Sequence, residues 1–183
     1  MKLYYSPTSP YVRKVTVLIL EAGIEGVERV TATGTPMDPG TLPIDRNPLG
    51  KVPALNRPDG PTLYDSRVIC RYLDARSGAG FYPPEPQLWD TLTLEATADG
   101  ILDAALLMVY EVRIRPEERR HGPWVEAQWA KVDRALDAVE SRWITHLSGR
   151  MDAAHIAIGC ALGYLDFRLD ARNWRRDRPH LAG

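Results

Sequence analysis

Two short stretches carry residue types and spacings that could do chemistry. The first is Asn47-Pro48-Leu49-Gly50-Lys51-Val52-Pro53-Ala54-Leu55, loop punctuation followed by an apolar strand predicted over Val52–Asn56. Its second residue is Pro53, which has no N–H to donate to a ladder, so part of the backbone there stays unpaired. The second is Asp65-Ser66, which opens an amphipathic helix predicted over Ser66–Arg76. The first turn of a helix leaves its N–H groups without partners, and they favour an anion placed beside them. Unpaired strand backbone next to a helix N-terminus predicts a site that holds an extended, carboxylate-bearing peptide by its main chain. A third feature is Ser9 before Pro10, the N-cap and N1 pair that helices favour.

These residues need elements to position them. Lys2–Tyr5 reads as a short strand and Pro10–Ala22 as a helix with Val12, Val15, Leu18 and Ile19 on one face, closed by Gly23. Val27–Thr31 alternates like a half-buried strand. The irregular stretch Gly34–Gly50 follows, with one turn expected near Leu42–Arg46. The strands Val52–Asn56 and Thr62–Tyr64 are joined by the strong turn signal Pro58-Asp59-Gly60-Pro61. The helix from Ser66 then places Val68, Ile69, Tyr72 and Leu73 on its inner face. A βαβ unit, a loop and a ββα unit within residues 1–76 give the order of a thioredoxin-like domain.

Residues 77–86 form a Gly/Pro-rich linker, and residues 87–183 show only helical periodicity. Leu88–Ile114 is one long helix with Leu92, Ala96, Ile101, Ala105, Met108 and Val109 apolar, and Gly100 is a candidate bend. Arg113–Gly122, with four Arg and two Glu, reads as a solvated helix break, with a basic binding patch as the alternative. Trp124–Leu147 places Trp129, Val132, Leu136, Val139 and Trp143 at core spacing. His155–Phe167 is apolar nearly all round, as expected of a buried central helix. Asp152 is its expected N-cap, and Gly159 and Gly163 would let another helix approach closely.

The 183 residues suffice for two small domains. A net charge of −1 supplies no global field for nucleic acid or an anionic membrane, so neither is an expected partner. No apolar run approaches a membrane span, and Met1-Lys2-Leu3-Tyr4-Tyr5 has no signal-peptide shape. Cys70 and Cys160 sit in apolar helical patterns without zinc-like spacing. Buried thiols, a reducing cytoplasmic location and no metal are therefore expected.

The motifs together resemble the cytosolic glutathione S-transferases over essentially the whole chain. Asn47–Leu55 looks like the family's NPxGKVPxL segment. Leu63-Tyr64-Asp65-Ser66-Arg67-Val68-Ile69 looks like LxESxxI with Asp65 in place of Glu, and Ser6–Lys14 is similar to the first loop and helix. Ala98–Ala104 and Ala161–Arg168 resemble a bacterial subgroup called YibF-like. The fold implied is an α/β thioredoxin-like N-terminal domain plus an all-α C-terminal domain. The implied co-substrate is glutathione, with no metal, and the implied assembly is a homodimer. The implied activity is attack of the glutathione thiolate on a small apolar electrophile. Glutathione-dependent disulfide or peroxide reduction, and a non-catalytic interaction module, are the alternatives.

The resemblance also implies roles. Ser9 occupies the thiol-activating position, with Tyr5 and Thr8 as alternates. The Val52–Pro53 bond is cis, and Val52 presents its N–H and C=O to the ligand's cysteinyl backbone. Asp65 pairs with the γ-glutamyl ammonium, Ser66 receives the γ-glutamyl carboxylate, and Lys51 contacts the glycyl carboxylate. Asp99 or Asp103 approaches the γ-glutamyl amine bound by a neighbouring subunit, against the plainer reading of a helix surface. Two departures stand out. His155 replaces the second member of the usual capping box, a role a neutral imidazole is not expected to fill. Relatives also continue past Arg178-Pro179-His180-Leu181 with a helix, so the last helix of this chain is expected to be incomplete.

Overall fold

The computed structural model describes all 183 residues, which divide into two units, Met1–Tyr82 and Pro83–Gly183. The first is built on a four-stranded sheet of order β2-β1-β3-β4. Strand β1 (Lys2–Tyr5) leads into helix α1 (Pro10–Glu21), and β2 (Glu28–Thr31) returns parallel to β1. β3 (Ala54–Arg57) runs antiparallel to β1, β4 (Gly60–Leu63) antiparallel to β3, and α2 (Ser66–Ser77) follows. Leu3, Ala54 and Leu55 face the core, where Val12, Val15, Leu18 and Ile19 of α1 and Ile69, Cys70 and Leu73 of α2 are buried.

Three details differ from the sequence expectation. β3 begins at Ala54 rather than Val52, because Ala54 pairs with Tyr4 and the next position outward is Pro53, which has no ladder donor. β4 starts at Gly60, which shortens the hairpin turn to Pro58-Asp59. On α2 the inner stripe is Ser66, Ile69, Cys70, Leu73 and Asp74, while Val68 is exposed. The buried carboxylate of Asp74 accepts the N–H groups of Phe81 (2.8 Å) and Tyr82 (3.1 Å), and so turns the chain back after α2.

The second unit is all helical. It comprises α3 (Gln87–Arg113), α4 (Gly122–Arg142), the single turn α5 (Ile144–Leu147), α6 (Ala153–Leu169) and the short α7 (Pro179–Ala182). α6 packs against α3, which also packs against α4. α6 is the buried helix that its composition predicts, with Ile156, Ala157, Ile158, Cys160, Ala161 and Leu165 inside. Gly159 and Gly163, however, admit no close helix: a Cβ at either would meet nothing within 4 Å. α3 runs unbroken through Gly100, and its inner stripe is not centred on Leu92 and Ala96. Those two border a groove with Trp89, Thr93 and Thr97. Thr91, Glu95 and Asp99, spaced four apart, share the buried face with Leu94, Ala98 and Leu102. Polar residues at inner positions hide the phase of the helix in the sequence.

The break after α3 is organised by buried Glu111, whose carboxylate accepts the Arg115 guanidinium at 2.9 Å and the His121 N–H at 2.8 Å. At the start of α6, Asp152 Oδ1 accepts the N–H groups of Ala154 and His155, and His155 Nδ1 lies 3.1 Å from the Asp152 N–H. The reciprocal half of the capping box is thus made by an imidazole, contrary to expectation, because the lone pair of a ring nitrogen accepts an N–H as a carboxylate oxygen does. No helix is long and apolar enough to cross a membrane.

Candidate functional site

Strand register decides what the first unit brings together. Tyr4 lies opposite Ala54, so Tyr5 and the loop after it share a sheet end with Val52 and Pro53. Leu55 lies opposite Leu63, which carries Tyr64 and Asp65 to that same end. β4 therefore runs parallel to β1, and the helices that follow them, α1 and α2, both start there. Tyr5, Thr8, Ser9, Val52, Pro53, Asp65 and Ser66 are gathered by two antiparallel pairings. Two helix N-termini, each equivalent to about half a positive charge, face the same end of the sheet.

Each position has a local cause. Ser9 is the N-cap of α1, with extended backbone, and its Oγ accepts the Val12 N–H at 3.3 Å. Thr8 is exposed and shares a 3.3 Å hydroxyl contact with Ser6. Tyr5 ends β1 and is half-buried. The loop before β3 is folded around Asn47, only 2 % exposed. Its Nδ2 donates to the Lys51 carbonyl at 2.9 Å, its Oδ1 accepts the Leu49 N–H at 3.1 Å, and its carbonyl accepts the Gly50 N–H at 2.9 Å. Gly50 sits at φ +59°, a conformation that costs a residue with a Cβ about 1 kcal/mol or more. The Val52–Pro53 bond is cis, as expected. Neither the N–H nor the C=O of Val52 makes a backbone hydrogen bond within the chain. Lys51, beside it, is exposed.

At α2, Asp65 is the N-cap: Oδ1 accepts the Arg67 N–H at 3.0 Å, and Oδ2 pairs with the Arg67 guanidinium at 2.8 Å. Burial alone would raise the Asp65 carboxyl. The hydrogen bonds and charge of Arg67, with the charge of Lys14, outweigh it and hold the group below its ordinary value of 3.8. Asp65 is therefore a carboxylate at neutral pH. Ser66, at the first helical position, is 2 % exposed.

Lys14 has no assigned role in the sequence reading, although it stands out in the structure. It is 1 % exposed, in the inner stripe of α1 one turn before Leu18, and its charge reaches Asp65. A lysine on the apolar face of an amphipathic helix is the signal that could have found it. Asn47 likewise enters the sequence reading only as the first residue of a motif. Asp99 belongs to α3 of the second unit and is buried at 7 % exposure, so the plain reading of it as helix surface does not hold; Asp103 is exposed.

This geometry coincides with a known family. Residues 8–76 match the model of the glutathione S-transferase N-terminal domain, and residues 122–183 match that of the glutathione S-transferase C-terminal domain. The chain belongs to the glutathione S-transferase family. Along its full length it is 39 % identical to the uncharacterized GST-like protein YibF of Escherichia coli K12, covering 90 % of that protein. It is also similar to a glutathione transferase family member from Pseudomonas fluorescens Pf-5 solved with bound glutathione. That structure has 43 % identity and a TM-score of 0.96, over 99 % of this chain and 90 % of the other. A second Pseudomonas fluorescens Pf-5 structure holds S-(propanoic acid)-glutathione, with 43 % identity and a TM-score of 0.91, over 100 % of this chain and 90 % of the other.

Proposed function

We propose that this chain is a glutathione-dependent transferase that ionises the glutathione thiol and directs it at a small apolar electrophile. The observation that carries this reading is the convergence, at one sheet end, of two helix N-termini and the unpaired backbone of Val52. In this reading Val52 holds the cysteinyl backbone through paired N–H and C=O bonds. Asp65 neutralises the γ-glutamyl ammonium, Ser66 and the α2 N-terminus receive its carboxylate, and Lys51 meets the glycyl carboxylate. The bound glutathione of the similar Pseudomonas fluorescens structure supports the ligand class.

The energetics need no general base. A thiol of pKa about 8.5 is only a few per cent ionised at neutral pH, and lowering it by about two units takes about 2.7 kcal/mol. A hydroxyl hydrogen bond to a charged group contributes about 1.5–3 kcal/mol. A helix N-terminus contributes about 0.3–1 kcal/mol more. Ser9 supplies both. Its oxygen accepts from the helix while its proton remains to be donated, so capping and thiolate stabilisation are compatible. Both cysteines are buried, which disfavours a protein mixed disulfide as the working intermediate. The apolar groove on α3 bordered by Trp89, Leu92 and Ala96 supports a homodimer as the working assembly.

The test is direct. The purified protein should be retained on immobilised glutathione and conjugate an aryl halide faster than it reduces a disulfide or a peroxide. Retention with reduction dominating would move the assignment to a reductase. A folded protein that is not retained would make it an interaction module.

A further inference from the structure

We infer that His146, Asp152 and His155 form a binding site for one divalent transition-metal ion of the zinc, cobalt or nickel class, on residues outside the glutathione set. One ligand atom from each residue lies within 4.8 Å of the other two. His146 Nε2 is 2.8 Å from Asp152 Oδ2, and His155 Nδ1 is 2.7 Å from Asp152 Oδ1. Ligands at about 2.0–2.1 Å from a tetrahedral ion sit about 3.3 Å apart. The two carboxylate–imidazole separations are about 0.5 Å shorter than that and no pair exceeds 4.8 Å, so ring rotations and a small shift of α5 would bring all three to one centre. Two imidazoles and a carboxylate suit zinc, cobalt, nickel or copper, whereas calcium and magnesium prefer oxygen sets. Three protein ligands leave a fourth position for water.

The reciprocal capping bond sets His155 Nδ1 against a carboxylate oxygen, a conflict that a cation would settle. His155 Nδ1 lies between a donor, the Asp152 N–H at 3.1 Å, and an acceptor, Asp152 Oδ1 at 2.7 Å. As a lone pair it opposes the oxygen; as an N–H it opposes the amide. The other nitrogen, Nε2, is buried without a partner, so neither tautomer is satisfied. An ion seated against Nδ1 and the carboxylate uses the lone pairs of both, exchanging the reciprocal capping bond for coordination. Nε2 then carries the proton, and a cavity of about 200 Å³ is bordered by His155, Ser148 and Ile144. Outside the ligands, the Thr91 hydroxyl donates to Asp152 Oδ2 at 2.6 Å, the kind of second bond that fixes a ligating carboxylate. The ligand side chains are 10–20 % exposed, sheltered yet reachable from solvent.

The test uses the full chain, freed of any histidine tag and stripped with a chelator, titrated with Co²⁺ by visible absorption and with Zn²⁺ by calorimetry. One ion per chain is expected, with the band intensity of a four-coordinate N/O site and a rise in melting temperature on Zn²⁺ addition. His146→Asn and His155→Asn should each weaken binding at least about tenfold. Asp152→Asn removes the anionic ligand while keeping a good N-cap, so its loss of affinity is separable from unfolding. His121→Asn and His180→Asn, the remaining histidines, should leave the affinity unchanged. The inference is overturned if no stoichiometric binding is seen, if binding follows His121 or His180, or if thiolate charge-transfer bands assign the ion to Cys70 or Cys160.

Discussion

At the scale of single residues, Ser9 and Asp65 each cap a helix and, in the proposed reading, each also serve a ligand, and substitutions can separate the two duties. Ser9→Ala removes a cap, which costs about 0.5–2 kcal/mol of stability. It also removes the donor assigned to the thiolate, for an expected loss of about 10- to 100-fold in kcat/KM. Thiolate absorbance followed against pH checks this: the bound thiol should titrate near its solution value in the variant. An unchanged titration would shift the role to Tyr5 or Thr8. Asp65→Asn keeps a capping oxygen but loses the charge, and glutathione affinity should fall about tenfold. Because the folded Asp65 carboxyl titrates below its ordinary value, its contribution to stability is complete above about pH 4 and is lost as pH falls through that lower value. The group is about half exposed, so the contribution is small. Acid titrations of stability should therefore show a slightly flatter limb in Asp65→Asn than in the parent, with no difference between pH 6 and pH 8.

At the scale of elements, the loop before β3 is held less by its prolines than by one side chain. Asn47→Ala removes two side-chain hydrogen bonds from a buried position, and a loss of about 1–3 kcal/mol in chemical denaturation is expected. Since that loop carries Lys51 and Val52, KM for glutathione should rise while the pKa of the bound thiol stays put. A variant with intact KM would show that Val52 is not a ligand contact. The same loop shows what sequence can and cannot convey. Gly50, Pro53 and the helix start at Asp65 are legible because each marks a backbone state by residue type alone. The true start of β3 depends on which residue faces Tyr4, a long-range pairing without local signature. The inner face of α3 escapes a periodicity argument because Thr91, Glu95 and Asp99 are polar residues in an apolar stripe. The imidazole half of the capping box escapes a motif that admits only a carboxylate or amide acceptor. The triad of His146, Asp152 and His155 is equally hidden, since it spans the break between α5 and α6.

At the scale of the whole molecule, the order of elements is readable and the polar fastenings between distant residues are not. A thioredoxin-like half and a helical half follow from hydrophobic period and turn residues. Arg178 does not: it looks like one more arginine in a basic tail, yet it is buried. It donates to Asp133 at 2.7 Å, to Asp137 at 2.6 Å and to the Trp174 carbonyl at 2.9 Å. Arg178→Ala should destabilise the helical unit by about 1–3 kcal/mol, discounted because Asp133 and Asp137 remain open to water. Urea denaturation checks it, and a change below about 0.5 kcal/mol would mean the clasp is incidental.

The clasp also determines where a protease can enter. Arg172 is paired with Glu126, Arg175 with Asp166, and Arg178 precedes Pro179, a bond trypsin does not cut. The Arg176 side chain alone of this group pairs only with its neighbour Asp177, at 3.7 Å, and stands 79 % exposed. Brief trypsin treatment of the folded protein should therefore nick the tail first after Arg176. The fragment beyond the nick should stay bound through Arg178, coming away only when the sample is denatured.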